Sequence, residues 1–483
     1  MPRPNILIFM TDHQRGDTVL PGHPVVAPNV AYFAKDGVTF TNAFCPSPHC
    51  CPSRATFMTG LYPSRSGVWN NVCNAQALTR GLKDGVRLWS DELAAAGYQL
   101  AWSGKWHVSV KESPRDRGWA ELFVSGHKPA EHQINWDNYR KLAERPDPTA
   151  RGEGEMLRPG YGPYRLYGTG PDNPNSHDER VVAEATKALP ALAAKGAPWV
   201  LFVGLIGPHD PYVVPRRVLD LYDLKDVPLP ASYADDLSDK PRVYQRMRRH
   251  AWGQLSEREI REGIRHFWAY CSYLDELFGK VLMALGETGQ ARDTLVLYCS
   301  DHGDYCGEHG LFAKGIPCFR GAYHVPAIVR WPNGTRNPGR AADSFVSLAD
   351  FAPTFVELAG AKAPVEYSGA TLAPFLRDET PPNWRDDIHT QCNGVELYYT
   401  QRSVMTRDCK YVFNGFDEDE LYDLRTDPHE MRNHAADPAY GAIKREMVRR
   451  MWRFARREDD TAINSYITVS IAPYGPAEGF REG

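Results

Sequence analysis

Four short apolar runs, each closing on polar residues, constrain this chain more than any other feature. Asn5-Ile6-Leu7-Ile8-Phe9-Met10 leads into Asp12-His13, and Tyr98-Gln99-Leu100-Ala101-Trp102 into Ser103-Gly104-Lys105-Trp106-His107. Trp199-Val200-Leu201-Phe202-Val203 leads past Gly207-Pro208 into His209-Asp210, and Leu295-Val296-Leu297-Tyr298 into Asp301-His302-Gly303. Runs of this length without alternation suit strands buried on both faces. Helical segments lie between them. Ser176-x-x-Glu179 and Ser256-x-x-Glu259 have the form of capping boxes. After the second, Ile260, Ile264, Phe267, Cys271, Leu274, Phe278 and Leu282 recur at helical spacing before Gly286. The alternation predicts an α/β fold with a large, mostly parallel sheet covered by helices. In such sheets ligands bind beyond the carboxyl ends of the strands. Four runs delivering acid, base and cation there would converge on one site.

The remainder is less regular. Residues 110–175 and 215–254 are rich in Pro, Gly, Arg and Asp without a clear period, and read as long excursions suited to substrate contacts. After about residue 375 the strand-like pieces Leu397-Tyr398-Tyr399, Ser403-Val404-Met405 and Lys410-Tyr411-Val412-Phe413 precede a helix at about 440–457. The expected organisation is a catalytic α/β domain over 1–375 and a smaller α+β subdomain over 376–483, an antiparallel sheet with one helix and an extended tail. The tail from 464 to 483 suggests a strap around a second copy, hence a homo-oligomer.

A formal charge of −4 gives no reason to expect nucleic acid or an anionic membrane as partner. The apolar stretch at residues 6–10 is too short for a signal-peptide core, and no later stretch spans a bilayer, so the chain reads as cytoplasmic. Its ten cysteines then read as thiols, and none has the CxxC spacing of a zinc site.

The most informative segment is Cys50-Cys51-Pro52-Ser53-Arg54-Ala55-Thr56-Phe57-Met58-Thr59-Gly60. Pro52 suits the first turn of a helix and Gly60 its end. Cys50 would sit at a helix N-terminus, where unpaired N–H groups favour an anion, with Arg54 one turn on. This segment resembles C-x-P-S-R-x(4)-T-G, the signature of the type I sulfatases in the alkaline-phosphatase-like superfamily. The resemblance implies that Cys50, not Cys51, is oxidised to formylglycine by a maturation enzyme. A hydrated aldehyde carries two hydroxyls on one carbon: one can attack sulfur, and the other then collapses to the aldehyde, releasing sulfate.

The same resemblance assigns roles along the chain. Asp12 and Asp301 would hold a divalent cation, usually calcium, together with the residue at 50. His13 stands where many members have a second Asp, and His302 where many have Asn. Imidazole is a softer ligand than carboxylate, which brings manganese in beside calcium, with magnesium as a further candidate ion. Residues 97–107 resemble the second sulfatase signature, departing at Leu100; Lys105 would contact the sulfate and His107 take the proton from the second hydroxyl. Pro208-His209-Asp210-Pro211-Tyr212 resembles the PHxP segment, in which His209 would help neutralise the leaving oxygen as general acid or hydrogen-bond donor. Lys314 matches a second sulfate-binding lysine. Arg54, Lys105 and Lys314 would form a cationic pocket for an oxyanion. Residues 420–430 resemble the LYDLxxDPxE segment, which joins the small domain to the large one. The implied fold is a mixed sheet with helices on both faces and a smaller C-terminal sheet.

Asn70, Asn71, Tyr212 and His324 adjoin these motifs as candidate substrate contacts. The implied activity is hydrolysis of a sulfate monoester, a carbohydrate sulfate first and an aryl or alkyl sulfate next. A phosphonate monoester hydrolase or phosphodiesterase of the same superfamily is the nearest alternative, since such enzymes often carry histidine beside the second metal aspartate. A non-catalytic metal- or sulfate-binding protein would leave Cys50 unmodified. A redox role for Cys50-Cys51 is poor, because adjacent cysteines form strained disulfides.

Overall fold

The computed structural model describes residues 3–126, 136–173, 176–464, 466 and 471–481. Its main sheet has eight strands: β1 (Asn5–Thr11), β2 (Val38–Phe44), β3 (Gln99–Lys105), β4 (Ala120–Ser125), β5 (Trp199–Gly204), β6 (Thr294–Ser300), β7 (Ala327–Arg330) and β8 (Arg340–Ser347). Their spatial order is β8-β2-β7-β6-β1-β5-β3-β4. Only β7 runs antiparallel to its neighbours, so the sheet is mixed but mostly parallel. The four apolar runs become β6, β1, β5 and β3, contiguous and parallel at the centre.

Burial on both faces explains their unbroken apolar character. Ile6, Ile8 and Met10 of β1 enter one hydrophobic cluster, while Leu7 and Phe9 enter another on the opposite face. The first is covered by α1 (Cys50–Thr59) and α4 (Phe351–Leu358), the second by α2 (His177–Ala194) and α3 (Glu257–Glu287). The Ser256–Glu259 capping box at α3 is formed in both directions. The one expected at Ser176 is not: Ser176 precedes α2 but makes no cap bond, and Glu179 instead accepts from Tyr273 and Lys280 of α3. Packing between the two helices outcompetes the local cap.

The second sheet is antiparallel, β9 (Asp387–Cys392), β10 (Gln401–Thr406), β11 (Cys409–Asn414) and β12 (Glu420–Asp423) in sequence order, with α5 (Gly441–Arg457) packed on it. Residues 397–399 lie outside any strand, whereas β9 and β12 went unread because their polar and charged residues break the apolar pattern. Two segments read as irregular hold regular elements: β4 at the sheet edge, and a helix at Arg242–His250. Residues 127–135, 174 and 175 of the first segment, and 465, 467–470, 482 and 483 of the tail, lie outside the described residues. Residues 471–481 of the tail lie on α5 of the same chain, where Glu478 pairs with Arg445 and Arg449 and Trp452 donates to the Tyr474 carbonyl. Among the described residues no helix is long and apolar enough to cross a membrane.

Gly104 sets how closely β3 approaches β5. It has φ 110°, and a Cβ there would stand 1.9 Å from the Gly204 carbonyl oxygen. Gly104→Ala is therefore expected to combine backbone strain with a clash, costing about 2–4 kcal/mol and displacing Lys105. A urea titration showing an unchanged midpoint would count against this reading of the strand pair.

Candidate active site

The parallel register of β1 and β6, Thr11 beside Ser300, brings the residues that follow each strand side by side. Those residues are Asp12 and Asp301, both fully buried. The Asp12 N–H donates to the Gly207 carbonyl and the Asp301 N–H to that of Thr11, fixing both turns. Facing them is the start of α1, whose first residue is Cys50 and whose C-cap is Gly60 at φ 69°. Ser53 donates its hydroxyl to the Asp301 carbonyl. Arg54 reaches back one turn: Nε donates to Asp301 Oδ2 at 2.7 Å, Nη2 to Asp12 Oδ2 at 3.4 Å and Nη1 to the Lys105 carbonyl at 3.2 Å. Lys105, ending β3, donates to Asp12. Burial opposes ionisation of Asp12, yet Lys105 and His302 hold its carboxyl well below the usual range.

The Cys50 sulfur lies at the centre, 3.2 Å from His302 Nε2 and 3.7 Å from Asp12 Oδ1. Burial and Asp12 resist loss of its proton, but Lys105, Lys314 and His302 outweigh them and pull the thiol well below its ordinary range. His302 moves the other way: burial presses it down, while Asp301, Cys50 and Asp12 raise it to about 9. His107 stands beyond Lys105 at φ 58°, with its Nδ1 buried and without a hydrogen-bond partner among the described residues. Burial and Lys105 oppose its proton, whereas contacts with Cys50 and Cys73 favour it and prevail.

A second group of side chains flanks the first. Lys314 donates to His13 Nε2 and lies 3.1 Å from His209 Nε2. His13 Nδ1 donates to Asp304 Oδ2 at 2.9 Å, and His209 Nδ1 to the Asp210 carbonyl at 2.7 Å. Both rings thus turn an acceptor nitrogen to the ammonium, and burial with Lys314 keeps both below the ordinary histidine value. Tyr212 donates to Asp304 at 2.7 Å and Tyr164 to Asp210. Burial pushes the Asp304 carboxyl up to about 7, with Tyr212 opposing and Asp210 adding to the rise.

Asp12, Cys50, Asp301 and His302 are all buried, and their ligand atoms lie within 4.8 Å of one another. Two carboxylates and one imidazole around a pocket of that size make an oxygen-rich donor set, which fits a divalent cation such as calcium, manganese or magnesium. Cys50 Sγ stands where the oxygens of a formylglycine side chain would be. His13 falls instead in a neighbouring group with Asp12 and His209, and Asp304 and Lys314 engage its two nitrogens.

Residues 4–361 match the family model described as sulfatase, and residues 307–457 that described as N-sulphoglucosamine sulphohydrolase, C-terminal. This chain belongs to the sulfatase family. It is 31% identical to the choline-sulfatase of Rhizobium meliloti over 90% of this chain and 83% of that protein. It is 24% identical to the N-acetylglucosamine-6-O-sulfatase of Bacteroides thetaiotaomicron, over 92% and 85% respectively. The phosphonate monoester hydrolase of Agrobacterium radiobacter has the same fold, with a TM-score of 0.78 at 24% identity, covering 94% of this chain and 96% of the other. This sulfatase is thus a sulfuric ester hydrolase with the alkaline-phosphatase-like fold, in a family that generally uses a divalent metal and formylglycine.

The motif residues gather in the sulfatase at convergent strand ends, and of the four suggested substrate contacts Asn71 and Tyr212 lie beside them, each engaged by the protein itself. Asn71 Oδ1 accepts the Cys51 N–H at 3.0 Å, and Asn70 Oδ1 that of Leu78 at 2.9 Å, so both fasten backbone. Tyr212 supports Asp304. His324 donates to the Thr41 carbonyl at 2.8 Å, packs on Phe44 and is held near 3 by burial and Arg320, apart from the cluster. Sequence reading missed Asp304, although it closes the polar stretch opened by Asp301. It also missed Glu396, which lies 3.9 Å from His49 in a segment without any pattern.

Removing divalent ions with a chelator is expected to lower the melting temperature. Returning calcium at about 100 times its Kd should restore about 2.7 kcal/mol. Asp301→Asn should lose most of that ion-dependent gain in calorimetry; an equal gain in the variant would place the ion elsewhere.

Proposed function

We propose that this sulfatase hydrolyses a carbohydrate sulfate ester, using a nucleophile made when a maturation enzyme oxidises Cys50 to formylglycine, with one divalent cation at Asp12, Asp301 and His302. Calcium is the first choice of ion, manganese or magnesium the next. The observation that carries this reading is the position of the Cys50 sulfur, at the first residue of α1 and among the buried donors Asp12, Asp301 and His302. When bound, the ion supplies positive charge that favours an ionised hydroxyl and offsets the charge of the sulfate oxygens. Formylglycine supplies, once hydrated, one hydroxyl to attack sulfur and a second that permits release.

The chain's own residues do the rest. Arg54 orients the two carboxylates and holds the start of α1 in place. Buried Lys105 and partly exposed Lys314 hold the sulfate oxygens from two sides, and charges fixed in place act strongly there. His107, with an unengaged nitrogen, takes the proton from the second hydroxyl. His209 and Lys314 share a proton across 3.1 Å, and that proton is the one available to the leaving alcohol. A carbohydrate alcohol is supported by the likeness to an N-acetylglucosamine-6-O-sulfatase and by the match at residues 307–457. Hydrolysis of a phosphonate monoester is the second reading, favoured by one observation: the imidazole of His302 in the donor set.

Matured protein with calcium, given sulfated sugars, choline sulfate, an aryl sulfate and an aryl phosphonate monoester, should show the highest kcat/KM on a sulfated sugar. A higher value for the phosphonate would reverse the assignment. His209→Ala should slow sugar sulfates by about 100-fold and nitrophenyl sulfate much less, because a nitrophenolate leaves without a proton. Equal losses on both would remove His209 from the leaving-group side.

A further inference from the structure

A second cluster of side chains of metal-ligating type adjoins the position of Cys50 without belonging to the oxygen-rich site. Cys51, Cys73 and His107 each offer one ligand atom, and the three atoms lie within 4.8 Å of one another. They come from separate segments: the second residue of α1, the loop that follows it, and the turn beyond β3. Asn71 ties the first two segments together by accepting the Cys51 N–H at 3.0 Å. His107 is held at a φ of 58°, in a region that residues with side chains rarely occupy, and its buried Nδ1 has no hydrogen-bond partner among the described residues. Cys51 is buried, while Cys73 and His107 are partly exposed, which leaves an approach from solvent.

The two neighbouring donor sets differ in chemistry. Asp12, Asp301 and His302 offer mainly carboxylate oxygen to a hard ion. Cys51, Cys73 and His107 offer two sulfurs and one nitrogen, a set that selects thiophilic ions and leaves a fourth, tetrahedral position for water. We propose that Cys51, Cys73 and His107 form a separate site for a thiophilic divalent ion of the zinc class, and that filling it stops the reaction by occupying His107. Binding expels the two thiol protons and fixes the imidazole as a ligand, so it can no longer accept a proton. The inhibitory half of the proposal rests on the role given to His107 above; the site itself does not.

Cadmium is the probe, added to the calcium-loaded enzyme in the presence of a non-chelating phosphine reductant. Wild type should take up one equivalent with an ultraviolet sulfur-to-cadmium charge-transfer band, and its sulfatase activity should fall in proportion and return with a chelator. Cys73→Ser and Cys73→Ala should melt as wild type does without cadmium and bind cadmium at least ~10-fold more weakly. No sulfur band in wild type, or an unchanged band in both Cys73 variants, would overturn the site. A one-equivalent band with full activity would overturn the switch. The absorption titration decides the site even if no sulfate ester is hydrolysed, so its failure is distinct from failure of the functional assignment.

Discussion

Asp12 and Asp301 are fully buried, and they leave adjacent parallel strands in matching register. Burying two carboxylates together costs several kcal/mol per ion unless opposite charge is fixed beside them. Arg54 answers that requirement from the second turn of α1, and Lys105 from the end of β3. The demand explains why a helix start with an arginine four residues on must face these two strands. It also explains why the site is laid out for an anion: the groups that neutralise the aspartates leave a dense field of fixed positive charge around the sulfur of Cys50.

Most of this arrangement is legible in the sequence because it follows from strand ends. A run such as Leu295-Val296-Leu297-Tyr298 can be read as a doubly buried strand, and Asp301 then has nowhere to go except the ligand-binding edge. The same logic reaches Lys105, His107 and His209. It fails where a contact depends on distant packing. Asp304 acquires its place from Tyr212 and His13, three segments that no local pattern joins. Adjacency in sequence does not foretell that His324, close to motif residues along the chain, turns to the carbonyl of Thr41 on β2. In the smaller sheet, β9 and β12 carry polar and charged residues that pair with other elements, so period-two alternation is lost.

The smaller sheet also braces the site from behind. The Gln391 N–H of β9 donates to the Pro46 carbonyl at 2.8 Å, and the Gln391 side chain accepts from the Ser64 N–H. Tyr62 donates to the His389 carbonyl, and Cys392 lies 3.5 Å from His49, the residue just before α1. Both flanks of α1 are thereby held by a strand more than three hundred residues later. The C-terminal region thus has a mechanical bearing on the nucleophile, though it contributes none of the ligand atoms around it.

Only 1% of Cys50 is accessible to solvent. Its neighbours cover that sulfur, and the helix that carries it is tied to Asp301 through Ser53 and Arg54. A thiol at this position is therefore met more readily by a reagent in an unfolded chain than in the folded one.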